Sequence, residues 1–198
     1  MSASSQVVTT QRMPRAARRQ QIARAAATVF MRGGFDGTSM DDVARQAGVT
    51  RLIVYRIFES KDELYRAVLD DVTADLYHSF EGADLVQGGV SRLLLGVARR
   101  HPDAFRLLWR QAAHEPEFAE LARVFRDLVT AYTETLIADA TDDAVMRHWM
   151  AQALVSYHYE GICTWLDEGD AARDDEFIAM VSSGSRALVG AWVSRPLF

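Results

Sequence analysis

The chain has 198 residues, 49% of them hydrophobic and 25% charged, with a formal net charge of −5; that balance belongs to a soluble globular protein and excludes a wholly disordered chain. No apolar run approaches the roughly 18 residues of a membrane span, and the single cysteine, Cys163, excludes an internal disulfide and a four-cysteine metal site. Strand alternation is scarce and there are four prolines, so the expected fold class is all-α.

Residues 1–11 carry no charge and no periodicity, and they lack the apolar stretch and cleavage site of a signal peptide. They read as part of a flexible arm, residues 1–12, of a cytoplasmic protein. Arg12, Arg15, Arg18 and Arg19 then lead into a helix with Ile22, Ala26, Val29 and Phe30 on one face. Basic groups at a helix entrance oppose its macrodipole. Two explanations stay open for them: contact with phosphates, or a solvated face. Gly33 and Gly34 stop this helix, with Phe35 placed to fold back on it, and Gly37 turns the chain.

Residues 38–58 read as a helix-turn-helix. Met40, Val43, Ala44 and Ala47 follow the rhythm of one helical face. Gly48 suits the left-handed residue that closes a helix, and Val49 pins the turn. Two capping boxes fit the entrance, Ser39 with Asp42 and Thr38 with Asp41; either hydroxyl could also hold a phosphate at the helix N-terminus. Thr50 can cap the second helix. There Val54, Ile57 and Phe58 share a face, which leaves Arg51, Leu52, Tyr55 and Arg56 free to enter a DNA major groove.

Ser60 to Glu63 forms another capping box, followed by a long helix with Leu64, Val68, Val72 and Leu76 in line. Lys61, the only lysine, sits in its first turn, where the dipole disfavours a cation and a phosphate partner would explain it. Charge divides at this helix. Residues 12–66 hold 11 Lys or Arg against 6 Asp or Glu, and the remainder holds 11 against 21. A polyanion is therefore drawn to one end and repelled by the rest.

Ala25 to Phe30, Gly33-Gly34-Phe35, Thr38 to Ala44, Ala47 to Thr50, Tyr55 and Phe58 to Leu64 occur in an order and spacing that resembles the DNA-binding head of the TetR family of bacterial transcriptional regulators. The resemblance covers residues 13 to about 68. Ile57 departs from it, since the family often has a polar residue there, so Ile57 is given no DNA role. The resemblance implies an all-helical homodimer: a three-helix head at residues 13–60, joined by a long helix to a larger effector-binding and dimerisation body at residues 61–198. DNA contacts then fall to Arg15, Arg18, Thr38, Ser39, Arg45, Thr50, Arg51, Leu52, Tyr55, Arg56 and Lys61.

In the body, three glycines between residues 81 and 89 mark a break. His101-Pro102 separates one helix from a second over 103 to about 113, and Pro116 opens a third carrying Phe118, Leu121, Val124, Phe125, Leu128, Tyr132 and Leu136. A further helix runs from Asp142 or Asp143 to 167. The last, about 174 to 193, mixes apolar residues with Gly184, Ala187, Gly190 and Ala191, small enough for a close helix partner. In the family this stretch joins an intersubunit four-helix bundle, which makes Trp165, Val181, Gly184, Ser185, Leu188 and Trp192 interface candidates; packing within one chain fits them equally.

Phe105, Trp109, Phe125, Tyr132, Trp149 and Tyr157 are the candidates for a pocket holding a small, largely apolar effector, although each also fits an ordinary core position. The histidines and Cys163 lack metal-ligand spacing, and no phosphate loop or nucleophile elbow appears. The expectation is a dimeric regulator, a repressor in its simplest form, that binds a near-palindromic operator and is released by its effector, with neither cofactor, metal, membrane nor catalysis. The alternative is a helical dimer that binds DNA or a partner without an effector, and a packed body with no cavity would mark it.

Overall fold

Alanine and aliphatic spacing decides the first helix of the computed structural model, which describes residues 13–81 and 89–193; the expected arm at 1–12 lies outside them. In α1 (Arg15–Gly33) the side chains of Ile22, Ala23, Ala26, Ala27 and Phe30 are buried. Gly34, at φ 69°, ends it by donating its N–H to the Phe30 carbonyl. Phe35 then returns beneath the helix, its ring 6.1 Å from that of Phe30.

Of the two candidate boxes, Ser39 with Asp42 is the one that forms, at the start of α2 (Met40–Ala47). Gly48 adopts the left-handed conformation, φ 65° and ψ 33°, and Val49 donates back to the Ala44 carbonyl in a Schellman closure. This short turn sets α3 (Arg51–Ile57) at an angle to α2, with Val54 and Phe58 buried beneath it. The next helix, α4 (Lys61–Phe80), is capped by the Ser60 hydroxyl, but the Glu63 carboxylate reaches one residue further back than a full box requires, to the Glu59 N–H.

α4 belongs to both ends of the molecule. Tyr65 packs among head rings, whereas Leu76 lines a cavity in the body. The body continues with α5 (Gly89–Arg100), α6 (Pro102–Arg106), α7 (Ala119–Leu136), α8 (Ala144–Glu168) and α9 (Asp174–Val193). Among the described residues every regular element is helical.

Two sequence expectations change here. The helix expected over 103–113 is α-helical only to Arg106, widens into a π turn over Leu107–Gln111 and tightens into a 3-10 turn over Ala112–His114. The widened turn coincides with Gln111 facing α1, where its amide donates to the Met31 carbonyl. Nor does Pro116 open α7. Phe118 is drawn fully inside against Tyr65, ring centroids 4.1 Å apart, and the helix starts one residue later.

Candidate nucleic-acid interface and effector cavity

With Val54 and Phe58 turned inward, α3 presents Arg51, Leu52, Tyr55 and Arg56 outward; Leu52 is 66% exposed and Tyr55 40%. Arg51 Nη1 donates to Asp41 Oδ2 at 2.9 Å, and its guanidinium lies 5.2 Å from the centre of the Tyr55 ring. Thr50 is exposed at the helix entrance and its hydroxyl makes no capping bond. Ser39 and Arg45 are also exposed. Both engage Asp42, whose carboxyl is held below the usual carboxylate range by the Ser39 hydroxyl and N–H and by Arg45. Arg15 is exposed at the start of α1, and Arg18 is half-buried, donating to Gln21.

Two of the expected DNA contacts have partners within the chain. Thr38 is buried, and its hydroxyl lies within bonding distance of the Gly34 and Val29 carbonyls, so it closes the turn between α1 and α2. Lys61 Nζ donates to the Phe35 carbonyl at 2.8 Å and lies 4.2 Å from the centre of the Phe35 ring. That bond engages one of its three N–H groups with an acceptor 26 residues away. Asp41, the acid that meets Arg51, carries no DNA role in the sequence reading, where it enters only as the partner of Thr38 in one of the two candidate capping boxes.

In the body α4, α5, α7, α8 and α9 surround a cavity of about 810 Å³. Its wall is largely apolar, including Leu76, Phe80, Leu94, Leu154 and Val155. Its polar edge includes His158, Ser182 and Ser185. Burial holds the His158 pKa below its usual value. A neutral ring whose Nδ1 donates to the Leu154 carbonyl leaves Nε2 as an acceptor 3.1 Å from the Ser185 hydroxyl, whose single proton is shared between it and the Val181 carbonyl at 3.0 Å. A large, mostly apolar cavity with a few convergent polar groups suits a small organic ligand.

Of the six aromatic candidates, Phe125 and Tyr132 line this cavity. The other four do not. Phe105 and Trp109 lie behind the wall, stacked on the lining residue Tyr159 at 5.3 and 4.6 Å. Trp149 is half exposed against Trp192, and Tyr157 packs towards Gly184, where an added Cβ would strike its hydroxyl. α8 is apolar on several faces, and the one lining the cavity carries Leu154, Val155, His158 and Tyr159.

The interface candidates divide in the same way. Val181 is buried in the core; Trp165 stacks on Phe177 and donates to Asp174; Ser185 faces the cavity. These three are occupied within the chain. Gly184 and Leu188 are partly covered, and Trp192 meets Trp149. Outside the packing, α8 leaves Val145 and Trp149, one turn apart, and α9 leaves Met180 and Val193, all from 50% to 80% exposed.

Head and body meet through packed rings and directed bonds. Phe30 and Phe35 of the head, Tyr65 of α4 and Phe118 form one ring cluster. Across the same junction the Thr28 hydroxyl donates to Asp103, the Phe35 N–H to Glu115 and the Gln111 amide to Met31. All three body groups lie between residues 103 and 115, on the segment whose Phe105 and Trp109 back the cavity wall. Among the described residues no group of three or more His, Cys, Asp or Glu is placed to hold a metal ion, and no helix is long and apolar enough to cross a membrane.

Comparison with known proteins places these features. The family described as bacterial regulatory proteins, tetR family, matches residues 22–68. The transcriptional activator FasR of Mycolicibacterium smegmatis is 47% identical over 165 residues, which cover 79% of this chain and 75% of that one. The transcriptional repressor SCO4008 of Streptomyces coelicolor is 32% identical over 94 residues, about half of each chain. A crystal structure of a TetR-like transcriptional regulator from Rhodococcus sp. RHA1 superposes with a TM-score of 0.72 at 26% identity, covering 90% of this chain and 100% of that one.

Proposed function

The chain belongs to the TetR family of bacterial transcriptional regulators, and from that premise we propose that it works as a homodimer which binds a near-palindromic operator and changes its occupancy when a small, largely apolar effector enters the body. The observation that carries this reading is the 810 Å³ cavity, whose wall residue Tyr159 stacks on the segment that grips the head. A packed body with no cavity would have supported the effector-free dimer instead. The division proposed is a head at residues 13–60 and a body at 61–198, with α4 shared between them.

On the DNA side, Arg51 and Arg56 read base edges, Leu52 meets a thymine methyl, and Ser39, Thr50, Tyr55, Arg15 and Arg45 contact phosphates and set the register. Two heads are then needed. Val145 and Trp149 on α8, and Met180 with the exposed Ala187 and Ala191 on one side of α9, offer the groups through which a second copy would dock. Half-sites should lie about 34 Å apart, or a multiple of it. An effector shifts this arrangement only by its difference in affinity for the two head positions. Repression is the simplest form of such control. The similar regulators are named as an activator and a repressor, and both senses follow from operator occupancy.

The test is selection of bound sequences from random duplex DNA by the full chain, with sedimentation of the free protein. An enriched palindrome together with a dimer whose dissociation follows Trp149→Glu is expected. Enrichment of an undivided site by a monomer would refute the dimer, and no enrichment would refute the operator.

A further inference from the structure

The doublet Asp41-Asp42 stands in the first turn of α2, where both carboxylates suit the helix dipole, yet the two do different things. Asp42 is spent inside its own helix: it takes the Ser39 N–H and hydroxyl at 3.0 and 2.6 Å and the Arg45 guanidinium at 2.9 Å. Asp41 instead crosses to the next helix and accepts from Arg51 Nη1, ten residues on, at 2.9 Å. From the other side Arg51 Nη2 lies 3.4 Å from the Tyr55 hydroxyl, one turn along α3. Arg51 is thus held between an acid of one helix and a phenol of the other.

An acid on a surface that approaches DNA repels phosphates, so its presence there asks for a return. A free arginine samples many rotamers, and a bidentate contact with guanine O6 and N7 requires one of them. Of the five guanidinium N–H groups, the Asp41 and Tyr55 contacts engage one each on Nη1 and Nη2, and the rest stay available to a base edge. Arg56, on the same outward face, has no hydrogen bond, ion pair or ring contact among the described residues.

We propose that Asp41 is a positioning residue for base reading: it fixes the Arg51 guanidinium so that one base pair of each half-site is discriminated, at the expense of affinity for DNA in general. This rests on α3 being the groove-facing helix. Asp41 itself touches no base. It exchanges non-specific attraction for selectivity, because it lowers the local positive charge while restricting the side chain that reads.

The experiment compares the intact chain with Arg51→Ala, Asp41→Ala and Asp41→Asn by selection from random duplex DNA and by affinity for a random-sequence duplex at fixed salt, after melting curves show each variant folded. Arg51→Ala should erase the preference at one base pair of each half-site. Asp41→Ala should weaken that same preference about tenfold while binding random duplex several-fold more tightly, as loss of a repelled charge requires. Asp41→Asn, which keeps the size and one acceptor oxygen, should restore part of the selectivity and bind random duplex as Asp41→Ala does. If Asp41→Ala or, should that variant fail to fold, Asp41→Asn keeps the full preference that Arg51→Ala loses, Asp41 positions nothing. If Arg51→Ala itself loses no preference, the assignment of α3 fails first and the inference falls with it.

Discussion

The ring of Tyr159 lies parallel to that of Phe105, 7° between planes and 5.3 Å between centroids, while its other surroundings include the cavity. One residue is therefore both a wall of the proposed effector site and a support of the segment that holds the head. Tyr159→Leu removes this stack and the one with Trp109, and should lower stability by about 1–3 kcal/mol. Amide exchange should quicken over residues 102–114 and stay unchanged in α2 and α3. Equal loss of protection in both regions would mean that the stack supports the whole fold rather than the junction.

Lys61 separates a structural from a DNA-contacting role. Lys61→Met removes a half-buried charged hydrogen bond to Phe35 and the contact with its ring. The expected cost is about 1 kcal/mol in urea denaturation. A purely structural role leaves the slope of log affinity against log salt as it is; a slope shallower by about 0.9 would place Lys61 on the DNA.

Tyr65 offers a gain in place of a loss. Its hydroxyl is buried without a hydrogen-bond partner among the described residues, and burial, aided by the nearby Glu115, pushes its pKa well above the usual value. Tyr65→Phe keeps the ring cluster and removes the orphaned group, so stability should rise by about 1 kcal/mol. A fall of similar size in denaturant unfolding would show that the hydroxyl has a partner in solution.

Stability should decline with acid in two stages. Burial holds the His158 pKa below its unfolded value, so its neutral form stabilises the fold fully above about pH 6.5 and progressively less below. Asp75, Asp167 and Asp174 are held low chiefly by Arg100, Arg110 and Arg99 in turn, and what they contribute is present above about pH 4 and lost beneath it. His158→Gln should abolish the upper stage alone. Unchanged curves between pH 5 and 7 would mean that His158 titrates alike in the folded and unfolded chain.

The parts of the fold legible from sequence were those decided within a few residues. Gly48 had to close α2 because the periodicity stopped there and only a left-handed residue continues into a tight turn; Arg51, Leu52, Tyr55 and Arg56 were visible once Val54 and Phe58 claimed the inner face. The Lys61 bond is not legible in sequence because its acceptor lies 26 residues away, nor is the burial of Thr38, whose carbonyl partners are set by how α1 ends. α8 defeated the same method for a different reason. With apolar residues on several faces, its period does not say that Leu154 and Tyr159 meet the cavity while Trp149 and Tyr157 look elsewhere.

The four rings at the junction also dictate where such a molecule can be recombined. A chimaera spliced at residue 60 would part Phe30 and Phe35 from the Tyr65 they pack on, leaving each half with foreign rings at its cut edge. Moving the splice beyond Val72 keeps Tyr65 with its own head but still exchanges Phe118 and Glu115. A grafted head that keeps its own junction would have to bring Asp103, Gln111, Glu115 and Phe118 along with it, so the transplantable unit is discontinuous in sequence.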